Sequence, residues 1–448
     1  MINYINNMPY KENRTELRKW ISSQIEDWLD GIAQFGCGPE GGVTRFLYDN
    51  SWQDAHKSLA DRMRQYGLEV YADRVGNLFG TSPSGYSASA TEVASAASPI
   101  APIHPILVGS HLDTVQCGGR YDGAYGIVAA VIAISYLRSA FGPPVRTLEA
   151  VALCEEEGSR FPLTFWGSGS ITGLYHPEQA AGFADGNGVT LEQAMDDAGF
   201  GRSDQPEADR SGRLYAFLEV HIEQGRLLET SGDQLGIVTT IAGQRRFTVT
   251  VDGRAEHAGT TPMVLRRDAL AGAAEMINLI EKMAVSRGAP LVATVGSLQT
   301  HPGTVNVIPG CATFSLDVRH ADADALDVFC QSMEAELMRI ASSRRLTLDV
   351  RPWMSSPPVQ LDPILTDAWE TAARSCGYTT RRMVSGAGHD AQIFQAIVPS
   401  ALLFVPSRQG ISHAPGEYTE PEQLADGIIA LIEFLYKLAY GEKTHETI

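Results

Sequence analysis

The stretch ILVGSHLDTVQCGGRYDG, residues 106–123, joins a short apolar run to a glycine-rich loop that carries His111, Asp113 and Asp122. Ile106, Leu107 and Val108 are continuous and apolar, the pattern of a strand buried on both faces of a parallel sheet. Gly123 and Gly126 then lead into residues 127–133, a small apolar run that reads as a buried helix. A strand, a polar loop and a helix in that order open the loop into the crevice at the carboxyl end of an α/β sheet. An imidazole and two carboxylates placed there are a natural start for a hydrolytic metal site. His-x-Asp alone carries little weight, since a surface histidine beside a turn aspartate is common.

The same arrangement recurs along the chain. LEAVAL, residues 148–153, precedes Cys154 and then EEEGSRF, residues 155–161. Three consecutive glutamates usually form a solvated face. At the end of a buried strand, however, adjacent carboxylates repel and call for a cation, and one can bind metal while its neighbour stays free as a general base. LYAFLEV, residues 214–220, ends in HIEQG, and the strand-like ALLFV, residues 401–405, precedes SHAPGE, residues 412–417. Four apolar strands ending in His, Asp or Glu predict an α/β catalytic domain with a mostly parallel mixed sheet flanked by helices.

Between residues 242 and 353 the pattern changes. Phe247, Val249 and Val251 alternate as a half-buried strand, and Leu270, Ala273, Ala274, Ile277 and Ile280 recur at helical spacing. Strands near 291–295 and 312–318 follow. A helix carrying Leu326, Phe329, Cys330, Met333, Leu337 and Ile340 comes next, and then a strand with Leu346, Leu348 and Val350. This β-α-β-β-α-β order is that of a ferredoxin-like α+β domain. The expected division is a catalytic domain in two parts, 1–241 and 356–448, with an inserted lid and dimerisation domain over 242–355. Ser355-Ser356-Pro357-Pro358 is the expected hinge. Near the N-terminus, Leu17, Trp20, Ile21, Ile25, Trp28, Leu29 and Ile32 form a core-facing helical stripe. Residues 82–102, rich in Ser, Ala and Pro, read as a flexible surface excursion.

The succession HLDTV, DG, EEEGSRF, EVHIEQG, EHAGTTPM, HPGTVNVIPG, DVRH, SGAGHDA and SHAPGE resembles the amidase (hydantoinase/carbamoylase) branch of the aminoacylase-like dinuclear metallopeptidases. The resemblance implies a hydrolase acting on carbon–nitrogen bonds other than peptide bonds, with two divalent metal ions per subunit bridged by Asp122. It assigns His111 and His221 to one ion, Glu157 and His413 to the other, the general base to Glu156, and to Asp113 the orientation of His111. The run of three glutamates leaves base and ligand open by one residue, and the family pattern favours the pair directly before Gly158. The resemblance also makes His257 an oxyanion donor reaching the site of a partner subunit. It gives the substrate carboxylate to Asn306 and Arg319, and sets Gln224 and His389 along the carbamoyl side. The planar fork of Arg319 suits a carboxylate, although without the resemblance it reads as an edge-strand ion pair. An insertion bearing His257, Asn306 and Arg319 would close over the cleft and exclude water.

Three stretches resemble the allantoate-cleaving members of this branch: TRFLY at 44–48, RFPLTFWGS at 160–168 and GQRRFTV at 243–249. The expected reaction is cleavage of allantoate to ureidoglycine, ammonia and carbon dioxide, with N-carbamoyl-L-amino acids (or a β-ureido acid) as the second substrate class. A dipeptidase and a non-catalytic ureido-acid-binding relative are the alternatives of other kinds. Zinc or manganese is the first expectation for the metal, and mixed His/carboxylate ligands also accept cobalt or nickel.

The formal net charge of −18 over 448 residues disfavours nucleic acid and anionic membrane surfaces as partners. It does not exclude an anionic substrate, because the site would carry its own metal charge and Arg319. The six cysteines show no CxxC pairing, which suits free thiols in a reducing cytoplasm, and no N-terminal signal is read. A homodimer built through the inserted domain is expected from the resemblance.

Overall fold

The computed structural model of the protein describes residues 14–39, 41–85 and 104–441. They divide into two compact units. One comprises the described chain up to Thr239, Leu361–Met383 and the residues from His389 on; the other comprises Thr240–Gln360 and Val384–Gly388. Of the 82–102 excursion, residues 86–102 lie outside the described residues.

The chain enters the first unit through the helix Arg14–Ala33, which buries Leu17, Ile21, Ile25, Trp28, Leu29 and Ile32 and leaves Trp20 half-buried. Strands β1 (Glu69–Ala72) and β2 (Leu78–Ser82) pair antiparallel. Strands β3 (Ile106–His111), β4 (Leu148–Leu153) and β5 (Ala216–Ile222) are buried along their whole length. His111 is therefore the last residue of its strand, and His221 lies inside β5, not in the loops beyond. The helix Ala124–Phe141 follows the first ligand loop and is buried from Ala124 to Leu137. It is long and apolar enough to cross a membrane, but 78% of it is buried inside the protein, which makes it a core helix. Gly126 lets this helix lie against the sheet, since a Cβ there would stand 2.5 Å from the Val220 carbonyl oxygen.

After β6 (Leu235–Ile241) the second unit begins with β7 (Gly243–Asp252) and the short β8 (Glu256–His257). The helix Ala269–Arg287 comes next, then β9 (Val292–Thr294), β10 (Leu298–His301), β11 (Val307–Ile308) and β12 (Cys311–His320). The helix Ala323–Arg344, β13 (Thr347–Ser356) and β14 (Val359–Gln360) complete it. The sheet order is β10-β12-β7-β13, with β9 also on β12 and every pairing antiparallel. The buried face of the helix Ala269–Arg287 is Ala269, Gly272, Ala273, Met276 and Ile280; Ala274 is exposed and Leu270 half-buried. The stripe is thus rotated from the one read in the sequence. Gly272 lets this face approach Leu346 closely, since a Cβ there would overlap the Leu346 side chain. Ser355 and Ser356 pair with Arg245 and Gln244 as part of β13, so half of the expected hinge is strand. The unit accordingly starts at Thr240 and ends its main segment at Gln360, with Val384–Gly388 tied in where Ala242 N donates to the Ser385 carbonyl at 2.9 Å.

In the first unit β15 (Thr380–Ser385) and β16 (Ser400–Val405) precede the helix Pro421–Tyr440. The sheet order is β1-β2-β4-β3-β5-β16-β6, with β15 also on β6. The neighbours β4, β3, β5 and β16 are mutually parallel, and β2 and β6 flank them antiparallel. These four are the strands followed by the His, Asp and Glu clusters, so their polar ends emerge on one edge of the sheet.

Arg45 shows how the loops at that edge are held. Its buried guanidinium donates from Nε to the Leu112 carbonyl at 2.7 Å and from Nη1 to the Ile32 and Phe35 carbonyls at 3.3 Å. Burial lowers its pKa to about 10, against the opposing pull of Asp113 and Asp49, so it stays charged at neutral pH. Arg45→Met would leave those carbonyls without their donor. We expect a loss of about 3 kcal/mol in urea unfolding; an unchanged midpoint would show that other donors replace it.

Candidate metal centre

Asp122 sits in the loop between β3 and the helix Ala124–Phe141, and the imidazoles converge on its two oxygens. His221 Nε2 lies 3.1 Å and His111 Nε2 3.4 Å from Oδ1; His413 Nε2 lies 3.2 Å from Oδ2 and 3.4 Å from Glu157 Oε1. Three donor groups result: His111, Asp122 and His221; His111, Glu156 and Glu157; Asp122, Glu157 and His413. The ring Nδ1 atoms explain which nitrogens are free. His111 Nδ1 is 3.0 Å from the Asp113 carbonyl oxygen and His221 Nδ1 is 2.9 Å from the Ile222 carbonyl oxygen. A carbonyl only accepts, so each Nδ1 carries the proton in the neutral ring and each Nε2 presents a lone pair to Asp122.

Lone pairs facing a carboxylate at these distances repel unless a cation or a proton lies between them. Asp113, Asp122, Glu155, Glu156, Glu219, Asp390 and Glu417 are all buried as well, a concentration of acid that needs counter-charge. Burial pushes the Glu157 carboxyl up to about 7, with Asp122 adding to the rise, and burial also raises that of Glu156 well above its ordinary value. Burial works in the same direction on Asp122, but with a proton on each facing Nε2 the hydrogen bonds from His111, His221 and His413 outweigh it and hold its carboxyl well below the usual range. Asp122 chiefly draws the pKa of His413 up to about 9. A set of three imidazoles and three carboxylates, each Asp122 oxygen with its own partners, fits two divalent cations bridged by that carboxylate.

The structure separates the three glutamates. Glu155, at φ 51°, turns away, and its Oε1 accepts from the Arg160 and Phe161 amides at 3.1 and 3.0 Å. Glu156 and Glu157 are the two that join donor groups. Asp113 does something other than expected. Its carboxylate stands 3.9 Å from His111 Nδ1, too far for a hydrogen bond. Its two oxygens accept instead from the Glu156 and Glu157 amides at 3.2 and 3.1 Å. His111 is oriented by the backbone carbonyl of Asp113, while the side chain fixes the glutamate loop.

The sequence profile of peptidase family M20/M25/M40 matches residues 107–437. The chain belongs to this family. It is 44% identical to an allantoate amidohydrolase of Bacillus subtilis over 94% of this chain and 98% of that protein. It is 38% identical to an N-carbamoyl-L-amino acid amidohydrolase of Geobacillus stearothermophilus over 92% and 97%. A solved hydantoinase/carbamoylase family amidase from Burkholderia multivorans superposes with a TM-score of 0.85 at 32% identity, covering 92% of this chain and 97% of that one.

In this M20/M25/M40 chain the remaining site residues expected from the sequence fall into two groups. Gln224 and His389 stand beside the cluster in the first unit. Gln224 Nε2 donates to Asp122 Oδ2 at 2.9 Å, and its Oε1 is buried without a hydrogen-bond partner. His389 packs edge-on against His221, with ring centroids 4.7 Å apart, and burial holds its pKa well below normal, so it is neutral. His257, Asn306 and Arg319 lie in the second unit. There β8 and β11 pair His257 with Val307, and the Asn306 carbonyl accepts from Ala258 N at 3.0 Å, which makes His257 and Asn306 neighbours. Arg319 is not on an edge strand: β12 lies between β10 and β7. Its Nε and Nη2 grip Asp317 at 2.8 and 3.0 Å, and Nη1 donates to the Gly386 carbonyl at 2.7 Å. Of a guanidinium's five N–H groups, one on each Nη is left for a further acceptor.

Two residues were passed over in the sequence. Glu417 and Ser412 belong to the SHAPGE motif that supplies His413, and both bond to the Asp122 loop or its partners. The only signal was a polar residue at each end of that motif.

Gly123 follows Asp122 at φ 64°, and a Cβ there would overlap the His111 carbonyl and ring. Gly123→Ala is expected to cost about 2 kcal/mol of stability and to weaken divalent-ion binding. Urea titration and calorimetric metal titration check this, and undiminished affinity would mean that His111 yields freely.

Proposed function

We propose that the protein is a metal-dependent amidohydrolase that cleaves a ureido group of allantoate, giving ureidoglycine, ammonia and carbon dioxide. The observation that carries the reaction class is the Asp122-centred cluster with Glu156 beside it. Higher identity to an allantoate amidohydrolase than to an N-carbamoyl-L-amino acid amidohydrolase favours the substrate. N-carbamoyl-L-amino acids are the second reading, favoured by full-length similarity to that second enzyme.

In this reading His111, His221 and Asp122 would hold one cation, and Glu157, His413 and Asp122 would hold the second. Zinc or manganese ions there, or cobalt or nickel, would supply a water acidified toward neutrality and a Lewis acid for the ureido carbonyl. Glu156 takes the proton of the attacking water and delivers it to the leaving nitrogen. Asp113 holds the backbone that carries Glu156 and Glu157 and so keeps base and ligand in register. Arg319 and Asn306 bind the substrate carboxylate, and Gln224 offers its unpartnered oxygen to the ureido N–H groups beside His389. His257, supplied by the partner subunit of a homodimer, donates to the developing oxyanion. The six free thiols suit a cytoplasmic enzyme of purine-nitrogen recovery.

Ammonia release by metal-reconstituted protein, compared as kcat/KM, is expected to favour allantoate over a panel of N-carbamoyl-L-amino acids. The reverse order would transfer the assignment to the carbamoyl amino acids, and no ammonia from either would end this reading. Glu156→Gln should keep its metal content while kcat falls by about 100-fold or more; near-normal turnover would remove Glu156 from the base role.

A trans-acting His257 makes a separate expectation. Subunits carrying His257→Ala and subunits carrying Glu156→Gln, unfolded and refolded together, should regain about a quarter of wild-type activity, because half of the random dimers carry one intact composite site. No recovery, with hybrid dimers present, would place His257 in its own subunit's site, and near-normal activity of His257→Ala by itself would place it outside the reaction.

A further inference from the structure

We infer that Glu417 is a positioning residue of the metal centre: its carboxylate pins the Asp122 loop to the His413 loop, so both proposed cation positions depend on a side chain that belongs to none of the three donor groups. Glu417 is 4% exposed. Its Oε1 accepts from the backbone amides of Tyr121 and Asp122 at 2.9 and 3.1 Å, and its Oε2 accepts from Ser412 Oγ at 2.7 Å. The single proton of Ser412 is committed to that short bond, so its oxygen is left to accept from Gln224 Nε2 at 3.3 Å, and Gln224 Nε2 also donates to Asp122 Oδ2 at 2.9 Å. The bonds close a circuit that runs from the Asp122 amide through Glu417, Ser412 and Gln224 back to the Asp122 carboxylate. It fixes both the backbone and the side chain of the residue that bridges the two donor sets.

A second observation points the same way. Gly119 has no left-handed backbone that would require glycine, yet a Cβ at this position would lie inside the Glu417 carboxylate. The glycine is needed because the carboxylate approaches the loop so closely. Simple packing would be met by a neutral side chain. Here the sequence instead places a second buried carboxyl against Asp122, whose two oxygens are taken up by two amides and a hydroxyl.

The inference rests on the metal-centre reading above, and metal affinity tests it without reference to substrate. Stripped protein would be titrated with zinc in competition with a fluorescent chelator. Glu417→Leu and Gly119→Ala should each weaken binding by about 10-fold to 100-fold while the far-ultraviolet circular dichroism is retained. Glu417→Gln should come back to within a few-fold of wild type, because its amide oxygen can accept the two backbone N–H groups while its NH2 meets Ser412. Glu149→Leu is the control. Glu149 is also a buried carboxylate of the first unit, held by Arg210 at 2.6 Å and Thr81 at 3.0 Å, and it joins no donor group. Its loss should lower stability and leave zinc affinity unchanged. Wild-type affinity in Glu417→Leu or Gly119→Ala overturns the inference, as does an equal loss in Glu149→Leu. Should Glu417→Leu fail to fold, Gly119→Ala and Ser412→Ala decide on the same readout. Wild-type protein that binds no zinc would instead overturn the metal-centre reading itself, a result distinct from failure of the Glu417 role alone.

Discussion

Asp122 faces lone pairs from His111 and His221 as well as the Nε2 of His413, and stands close to a buried glutamate, with His221 Nε2 only 3.1 Å from one oxygen and His413 Nε2 3.2 Å from the other. Such a crowd of acceptors is stable only with positive charge between them, and much of the surrounding structure serves to hold it together. Backbone carbonyls take the Nδ1 protons of His111 and His221 and so turn their Nε2 atoms toward Asp122. Asp113 binds the amides of the glutamate loop, and Glu417 binds the amides of the Asp122 loop. Each oriented group costs conformational entropy and desolvation, which cations at the centre would offset through binding linked to the folded state.

The sheet makes this convergence geometrically simple. Four neighbouring parallel strands point the same way, so the loops after β3, β4 and β16 and the end of β5 meet at one edge. A continuous core beneath them, including the helix Ala124–Phe141, fixes the strand ends to which these loops are anchored. The loops then reach their final form through left-handed residues: Glu155, Gln224 and His413 have φ values of 51°, 57° and 53°. Non-glycine residues in that region store strain of about 1–3 kcal/mol each and persist where surrounding contacts over-determine them. Here those contacts are the hydrogen bonds of Glu155 to the 160–161 turn and of Gln224 to Asp122 and Ser407.

The second unit follows a different logic. Its antiparallel sheet alternates buried and half-exposed positions, as β12 shows from Cys311 to Arg319, and it has its own core under two helices. Arg319 is held by Asp317, which also pairs with Arg246 at 2.8 Å. A guanidinium braced in this way would lose little further freedom on binding an anion.

The sequence by itself determined the apolar strands of the first unit, the alternating strands and two helices around which the second unit is built, and the residue types at each strand end; the short strands β8, β10, β11 and β14 left no such pattern in it. Period-2 and period-3.6 patterns are written by near neighbours, and apolar runs such as 106–108, 148–153 and 401–405 have few alternatives to burial. The candidate donor set was legible for the same reason, since His111, Asp122, Glu157, His221 and His413 all lie at or beyond the ends of such runs. Direction was not legible. That Glu155 turns away, that the Asp113 carboxylate serves the glutamate loop instead of His111, that Gly272 lets a helix face approach Leu346 closely, and that Glu417 closes a circuit around Asp122 were decided only by the tertiary structure. The physical reason is that a loop side chain points where distant partners allow: Glu417 and the Tyr121 amide it binds are 296 residues apart in the chain, and no local pattern encodes that meeting.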